Sequence, residues 1–392
     1  MKIWLCAVAL TGLCTGCGGS GDAKPTASNT HRDAQVPDAA SVSSADAAGV
    51  DASAADAAAS VIPTGMWDEL APMPELPRYY VGVAGAKHRV FVVGGLSAGP
   101  EALAVHTYDV VTKQWKRLKD LPEPMRMPNV AAVGDRLFVL GALDVVDSFE
   151  YDFNNDRWLP RASLPAGHGP GASAIGVSGN TVFVAGGVLP GVSANLLNTG
   201  MRVAGVYSYD SANDRWSTLP SLPIAVGYAM GALHNGELWV MGGSDNHART
   251  DRVEAFNTAT HTWKEKPKLP LALSSAACGV LDGRIYIAGG IATSVGAISG
   301  LTLAFNDASQ AWEGAAPIPT PRFAVGGAVI DNKLYVVAGI HAENPMPIVD
   351  AGADAGWDAA AADAASAGPG AGGSQQMGPL FVPVGILEVF TP

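Results

Sequence analysis

An all-β ring of six four-stranded blades is the fold this sequence predicts, and three observations predict it. First, a Gly pair closes an alternating apolar strand at Gly94-Gly95, Gly186-Gly187, Gly242-Gly243 and Gly289-Gly290, with degenerate copies at Gly141-Ala142 and Ala338-Gly339. The steps between copies are 47, 45, 56, 47 and 49 residues. Second, a Trp keeps the same pace at Trp67, Trp115, Trp158, Trp216, Trp263 and Trp312. Third, each unit holds room for four short strands punctuated by turn residues. A period near fifty with four strands per unit is the signature of a propeller, because one small sheet buries both faces only when its neighbours stack around a ring.

Within a unit the strands follow from period-two alternation and turn chemistry. In the fifth unit the pattern predicts strand a over Ala276 to Leu281, a turn at Asp282-Gly283, strand b over Arg284 to Ala288, strand c over Leu301 to Phe305, and strand d opening at Gln310 to Glu313. The turn recurs as Gly134-Asp135, Asn235-Gly236 and Asp331-Asn332, residues that tolerate the positive φ of tight hairpins. The Trp on strand d is a broad apolar plate for packing between blades.

The last unit has strands a and b, and Gly385 to Phe390 reads as its strand c, but no Trp follows. The missing strand d lies at the other end, in Met66-Trp67-Asp68-Glu69-Leu70. Residues 64–74 are therefore expected beside 384–390, a closure that removes free sheet edges.

These motifs resemble the kelch family. The matching residues are Val92 to Gly95, Val184 to Gly187, Val240 to Gly243 and Ile287 to Gly290, the Tyr-Asp pairs Tyr108-Asp109, Tyr151-Asp152 and Tyr209-Asp210, and Pro77-Arg78 and Pro321-Arg322 at the entrance to strand a. The resemblance runs from about Thr64 to Pro392 apart from one insertion, and implies a six-bladed kelch propeller. Phe256-Asn257 and Phe305-Asn306 replace the Tyr-Asp pair and are expected to weaken their blades.

Hydrophobic content of 48% with 15% charged residues fits a folded β protein. The formal charge of −12 is concentrated outside the ring. Residues 18–60 and 341–383 hold 11 acids; setting these aside with Lys2, Lys24 and Arg32 leaves 25 acids against 21 bases. The ring is nearly neutral, so no nucleic-acid partner is expected.

Residues 1–17 carry one Lys, an apolar run and small residues before a Cys, a secretory signal too short to span a bilayer. Leu13-Cys14-Thr15-Gly16-Cys17 resembles a bacterial lipobox, which makes Cys17 the lipidation site, and Gly18-Gly19 resembles lipoproteins sorted to the outer membrane. Residues 18–62 are Ala, Asp, Ser and Thr with nothing large to bury, so a disordered tether is expected. Its root-mean-square reach is on the order of 35 to 40 Å. Similar composition returns in the insertion at 349–376, which holds Trp357, within a longer stretch 341–383 of the last blade. With long loops at Val188 to Gly205 and Ile291 to Gly300, it elaborates the face carrying the b-to-c loops, as expected of a binding face.

No catalytic constellation stands out, and neither a cofactor nor a metal is expected. Asp245, Asn246, His247 and Asp251 share one loop but lack ligand spacing, as do His341 and Glu343. A copper-radical oxidase on this fold would need a Cys crosslinked to Tyr; Cys278, the only Cys beyond the leader, lies in an apolar strand and is expected in the core. The positional candidates for ligand binding are Arg78, Tyr79, Arg126, His168, Tyr228 and Arg322, with Tyr80 and Asn129 beside them, which in kelch rings face the central opening. Three Arg around one opening would suit a carboxylate or acidic sugar. The expected function is a lipid-anchored, monomeric envelope propeller that binds or scaffolds an envelope protein or acidic carbohydrate, touching the membrane through its anchor alone. The alternative, implied by resemblance, is a periplasmic enzyme like the kelch N-acetylneuraminate epimerases.

Overall fold

The computed structural model describes residues 64–75, 77–97, 101–165, 167, 169–190, 200–292, 297–343 and 380–392. The leader with Cys17, the tether, His168, and the insertion with Trp357 lie outside the described residues.

Six antiparallel four-stranded sheets form the blades. Blade 1 runs Gly82–Ala86, Arg89–Val93, Val105–Asp109 and Gln114–Arg117; blade 2 Val130–Val133, Arg136–Ala142, Val145–Asp152 and Arg157–Arg161; blade 3 Ala174–Ser178, Thr181–Ala185, Val206–Asp210 and Arg215–Leu219. Blade 4 runs Met230–His234, Glu237–Met241, Val253–Asn257 and Thr262–Lys266; blade 5 Ala277–Leu281, Arg284–Ala288, Thr302–Asn306 and Ala311–Ala315. Blade 6 is Gly326–Ile330, Lys333–Val337 and Leu387–Thr391, completed by Met66–Leu70. The register Met66↔Thr391 through Leu70↔Leu387 is the closure that the missing strand d predicted. The inner strands a neighbour one another in the order 1-2-3-4-5-6-1. Among the described residues there is no α-helix, only a 3₁₀ turn at Glu101–Leu103.

The same devices hold every blade, which is why the repeat was visible. All six strand-d indoles donate to a carbonyl of the preceding blade's exit: Trp67 to Ala316, Trp115 to Ala71, Trp158 to Lys119, Trp216 to Ala162, Trp263 to Pro220 and Trp312 to Pro267, at 2.7 to 3.1 Å. Each Trp also tilts against an aromatic ring of its own strand c at 5.0 to 5.2 Å between centroids, from Tyr108–Trp115 round to Phe390–Trp67. Such amphipathic plates bury area while their N–H finds a partner. Asp109, Asp152 and Asp210 each accept backbone N–H groups two and three residues on, closing the c–d turn. Asn257 and Asn306 accept the same pair of bonds, so the Phe-Asn replacements leave the turn intact rather than weakened.

The Gly pair is required by proximity. A Cβ on Gly94 would stand 2.3 Å from the Met125 carbonyl oxygen of the next blade, and one on Gly95 2.7 Å from Val81. Blade 2 solves the problem differently: its register shifts between Leu140 and Ala142, and a two-residue turn at Leu143-Asp144 returns the chain at once. In blade 6 Ala338 takes φ +63, a conformation Gly would hold with less strain.

Two small extra sheets stand beside the blades. Leu273–Ser274, Ile291–Ala292 and Ala297–Ile298 form one, and Ile340–Glu343 pairs with Leu380–Pro383 in the other.

Candidate functional site

Where each strand a begins, one residue turns the chain inward with a positive φ: Tyr80, Met127, Ala172, Tyr228, Ser275 and Ala324, at +51 to +59°. These six occupy one position of the repeat, and their backbones stitch the ring. The N–H of Tyr80 donates to Ala324, that of Ala324 to Ser275, Ser275 to Tyr228, Tyr228 to Ala172 and Ala172 to Met127, at 2.8 to 3.1 Å. Left-handed backbone at non-Gly residues is strained and persists only where the surroundings impose it. Here the imposed geometry forms a collar around the ring axis.

Inside the collar lies a cavity of about 470 Å³ lined by strand a of all six blades. Its wall is small and apolar, with Val83, Ala132, Ile175, Leu233, Val280 and Val329 half-buried along it. Each strand a is a sheet edge, so its unpaired peptide groups face the axis and require water. Among the described residues no charged side chain lines the cavity. Cys278 belongs to this wall rather than to the packed core: it is half-buried and its thiol donates to the Gly231 carbonyl at 3.0 Å. Desolvation pushes that thiol up to about 12, so it stays protonated at neutral pH.

At the collar the mouth is crossed by aromatic rings. Tyr80 of blade 1 meets Tyr228 of blade 4, on the opposite side, at 5.3 Å between centroids, and Tyr79 tilts on Tyr80 at 5.8 Å. Leu96, Met127, Leu143 and Val188 pack beneath them. Burial pushes the Tyr80 phenol well above its ordinary range, Tyr228 adds to the rise, and a hydrogen bond with Ser275 opposes it. Tyr228 is shifted the same way by its own desolvation.

The arginines expected around this opening are not brought together. Arg78 and Arg322 sit two residues before the collar, the repeat position held elsewhere by Met125, Pro170, Val226 and Leu273. That position faces the interior, and both side chains are buried, at 1% and 0% exposure. Arg78 donates to the carbonyls of Gly94 and Ala104 at 2.8 Å and contacts His106 Nδ1 at 2.8 Å. Arg322 donates to Ala338 and Val336 at 3.0 Å and is ion-paired with Glu388, itself fully buried. Burial pulls the Arg322 guanidinium down and Glu388 holds it up. Both residues brace blade walls, a correction to their placement at the opening. Arg126 lies one position later, beside Tyr79 and Phe323 in the repeat frame, and is half-buried at the mouth. Asn129 is buried and bridges blades 2 and 3 by donating to Leu140 and Pro170.

Two arginines that the repeat did not flag stand at this mouth. Arg202, from the b-to-c loop of blade 3, is 7% exposed, and its guanidinium lies 5.4 Å from the Tyr228 ring centre. Arg249, from the corresponding loop of blade 4, is half-buried and pairs through its backbone with Ser244. Burial pulls Arg249 below the usual guanidinium range; Tyr80 opposes that fall and Arg202 reinforces it.

In the same loop, Asp245 accepts the N–H groups of His247 and Ala248, and Asp251 pairs with Lys268 at 3.3 Å. His341 Nδ1 donates to the Pro321 carbonyl at 2.8 Å. Among the described residues no three His, Cys, Asp or Glu side chains cluster to hold a metal.

Comparisons with known proteins agree with this architecture. The Kelch motif matches residues 231–270, the four strands of blade 4. The chain is similar to Kelch-like protein terF of Aspergillus terreus, 28% identical over 200 residues covering 46% of this chain and 43% of that protein. It is 27% identical over 190 residues to beta-scruin of Limulus polyphemus, covering 45% of this chain and 20% of the other. Its matches thus span less than half the length of these curated relatives. The solved structure of YjhT superposes with a TM-score of 0.58 at 17% identity, covering 69% of this chain and 92% of that one. Six blades with common Gly, Trp and collar devices, a Kelch motif match and similarity to kelch proteins together make the fold that of a kelch-type β-propeller.

Proposed function

We propose that the propeller is a binding module whose working surface is the tyrosine-crossed mouth on the elaborated face, serving as a scaffold for an envelope protein or a carbohydrate. The observation that carries this reading is the meeting of Tyr80 with Tyr228 from the opposite blade, with Tyr79 tilted on Tyr80 and the Arg202 guanidinium over the Tyr228 ring. Tyr and Arg are enriched among the residues that carry most of the energy of protein interfaces. Among the described residues, no carboxylate, imidazole, ammonium or guanidinium lines the cavity behind the mouth. The sugar-processing alternative relied on Arg78, Arg126 and Arg322 around one opening, and two of these are buried in blade walls.

The leader, the lipobox ending at Cys17 and the tether support an exported, lipid-anchored protein of the outer membrane, held to the bilayer by its anchor alone. Globomycin, which blocks lipoprotein signal cleavage, tests the anchor: precursor should accumulate, and a Cys17→Ser chain should leave the membrane fraction. An unchanged distribution in both would refute it.

The module is tested by crosslinking the full chain in envelope preparations. Tyr79→Ala with Arg126→Ala should remove the crosslinked partner, whereas Val111→Ser, on the exposed c–d turn of the other face, should not. Equal crosslinking by all three chains would reject the mouth as the binding surface.

A further inference from the structure

Blades 1 and 6 each bury an arginine at the entrance to strand a, and they answer it differently. Arg322 of blade 6 is ion-paired with Glu388, the second residue of strand c. In blade 1 the same two repeat positions hold Arg78 and His106. Both are buried, at 1% exposure, and Arg78 Nη2 lies 2.8 Å from His106 Nδ1. An imidazole thus stands where the adjacent blade has a carboxylate.

That exchange fixes the state of the ring. A guanidinium only donates, so Nδ1 accepts and the ring proton belongs on Nε2. The Glu75 carboxylate lies 3.3 Å from Nε2, but the contact lacks hydrogen-bond geometry. Glu75 is held by Arg117 at 2.7 Å, and Arg117 also pairs with Asp120 at 2.9 Å. Arg117 stands opposite His106 on strand d, and Val92 opposite it on strand b. Among the described residues the charged groups that face the imidazole are therefore Arg78, Glu75 and Arg117, with Asp120 behind Arg117. A second ring proton would turn an Nδ1–H towards the guanidinium, setting two donors and two positive charges together in a buried space. Burial and Arg78 push the imidazole below its ordinary range, and Glu75 opposes that fall.

Arg78 secures the passage from the closing strand into the ring. Its guanidinium contacts Met73 Sδ at 3.3 Å, the Met73 N–H donates to Gly385 at 2.7 Å, and the Gly339 N–H donates to the Arg78 carbonyl at 3.0 Å. Glu75 sits at φ +70, a left-handed backbone that its surroundings must maintain. Tyr79 and Tyr80 follow Arg78 at once, and the Tyr80 N–H donates to Ala324 in the collar.

We propose that His106 is an acid-sensitive latch on this passage: the neutral ring accepts from Arg78 and fixes Met73, Glu75 and the entrance of blade 1, whereas the protonated ring expels Arg78 and frees them. The latch operates whatever the mouth binds, and it sets how firmly Tyr79 and Tyr80 are held. The unfolded chain takes up the imidazole proton near pH 6.5, the folded ring only at lower pH. The hold is therefore complete above about pH 6.5 and is lost as pH falls through the folded value.

The test is amide hydrogen exchange of the full chain, corrected for intrinsic rates, from about pH 7.5 down to about pH 5. Protection of the Met73 and Tyr80 amides should fall about tenfold, while Ser275, which holds the collar position of Tyr80 in blade 5, keeps its protection. In His106→Asn, whose amide oxygen accepts from Arg78 and does not titrate, the fall should disappear. If that variant does not fold, long-range ¹H–¹⁵N spectra of the native protein decide: an unprotonated Nδ1 at neutral pH and a titration midpoint below that of free histidine are expected. Overturning results are unchanged protection at Met73 and Tyr80, an equal loss at Ser275, a loss that persists in His106→Asn, a proton on Nδ1 at neutral pH, or a midpoint at or above that of free histidine.

Discussion

The Trp67 indole donates to the Ala316 carbonyl at 2.8 Å, joining residues 249 apart in the chain. The same bond recurs in five other blades between residues 39 to 54 apart, so ring closure uses the device that joins consecutive blades, here across most of the chain. Trp67→Phe keeps the ring that packs on Phe390 and removes the donor. It should lower unfolding stability by about 1 kcal/mol, measured by urea denaturation, with Trp115→Phe costing a similar amount. A loss several times larger at Trp67 alone would show that closure is the weak point of the ring.

Arg322 and Glu388 form a fully buried pair between the entrance and strand c of blade 6. Glu388→Gln or Arg322→Met alone should cost about 3 to 5 kcal/mol, because each strands the other charge. The double variant Arg322→Met with Glu388→Leu should recover much of that loss. Additive losses in a double-mutant cycle would contradict the pairing.

The collar makes a conformational prediction. Ala324 holds φ +55, and Ala324→Gly trades relief of that strain against a more flexible unfolded chain, so stability should change by less than about 1 kcal/mol. Ala324→Val places a β-branched residue in the same region and should cost roughly 2 kcal/mol. Thermal melts of the two variants separate the outcomes; equal behaviour would argue against a backbone-imposed collar.

Cys278 supplies a pH signature. Its thiol is raised to about 12 by desolvation in the cavity wall, against an unfolded value near 8.5. The folded state therefore favours the protonated thiol, and the stability this confers is complete below about pH 8.5 and is lost as pH rises toward 12. Cys278→Ala should flatten that part of the stability profile. In the native protein at pH 8 iodoacetamide should label Cys278 far more slowly than in urea; equal rates would mean that the thiol is solvated.

The ring was legible because its supports repeat. Six Trp residues, four full Gly pairs and an orphaned first strand report blade count and closure directly, since each blade solves the same packing problem. The site was legible only in part. Tyr79, Tyr80 and Tyr228 stand at the entrance where the repeat put them, but Arg78 and Arg322 were read one register step wrong. Their counterparts Met125, Val226 and Leu273 are apolar, a pattern in the repeat that marks an interior position. Arg202 and Arg249 escaped because b-to-c loops differ in length from blade to blade and carry no period.

The pairing of Met66 with Thr391 sets the two ends of the folded ring side by side in one sheet. The blades therefore have a cyclic order without an intrinsic first member. A chain that joined residues 392 and 64 through a short flexible bridge and opened instead at the exposed Asp282-Gly283 turn would meet the same neighbours in every blade. Such a circular permutant should refold to the same ring, with its new ends displayed on the face opposite the tyrosine mouth.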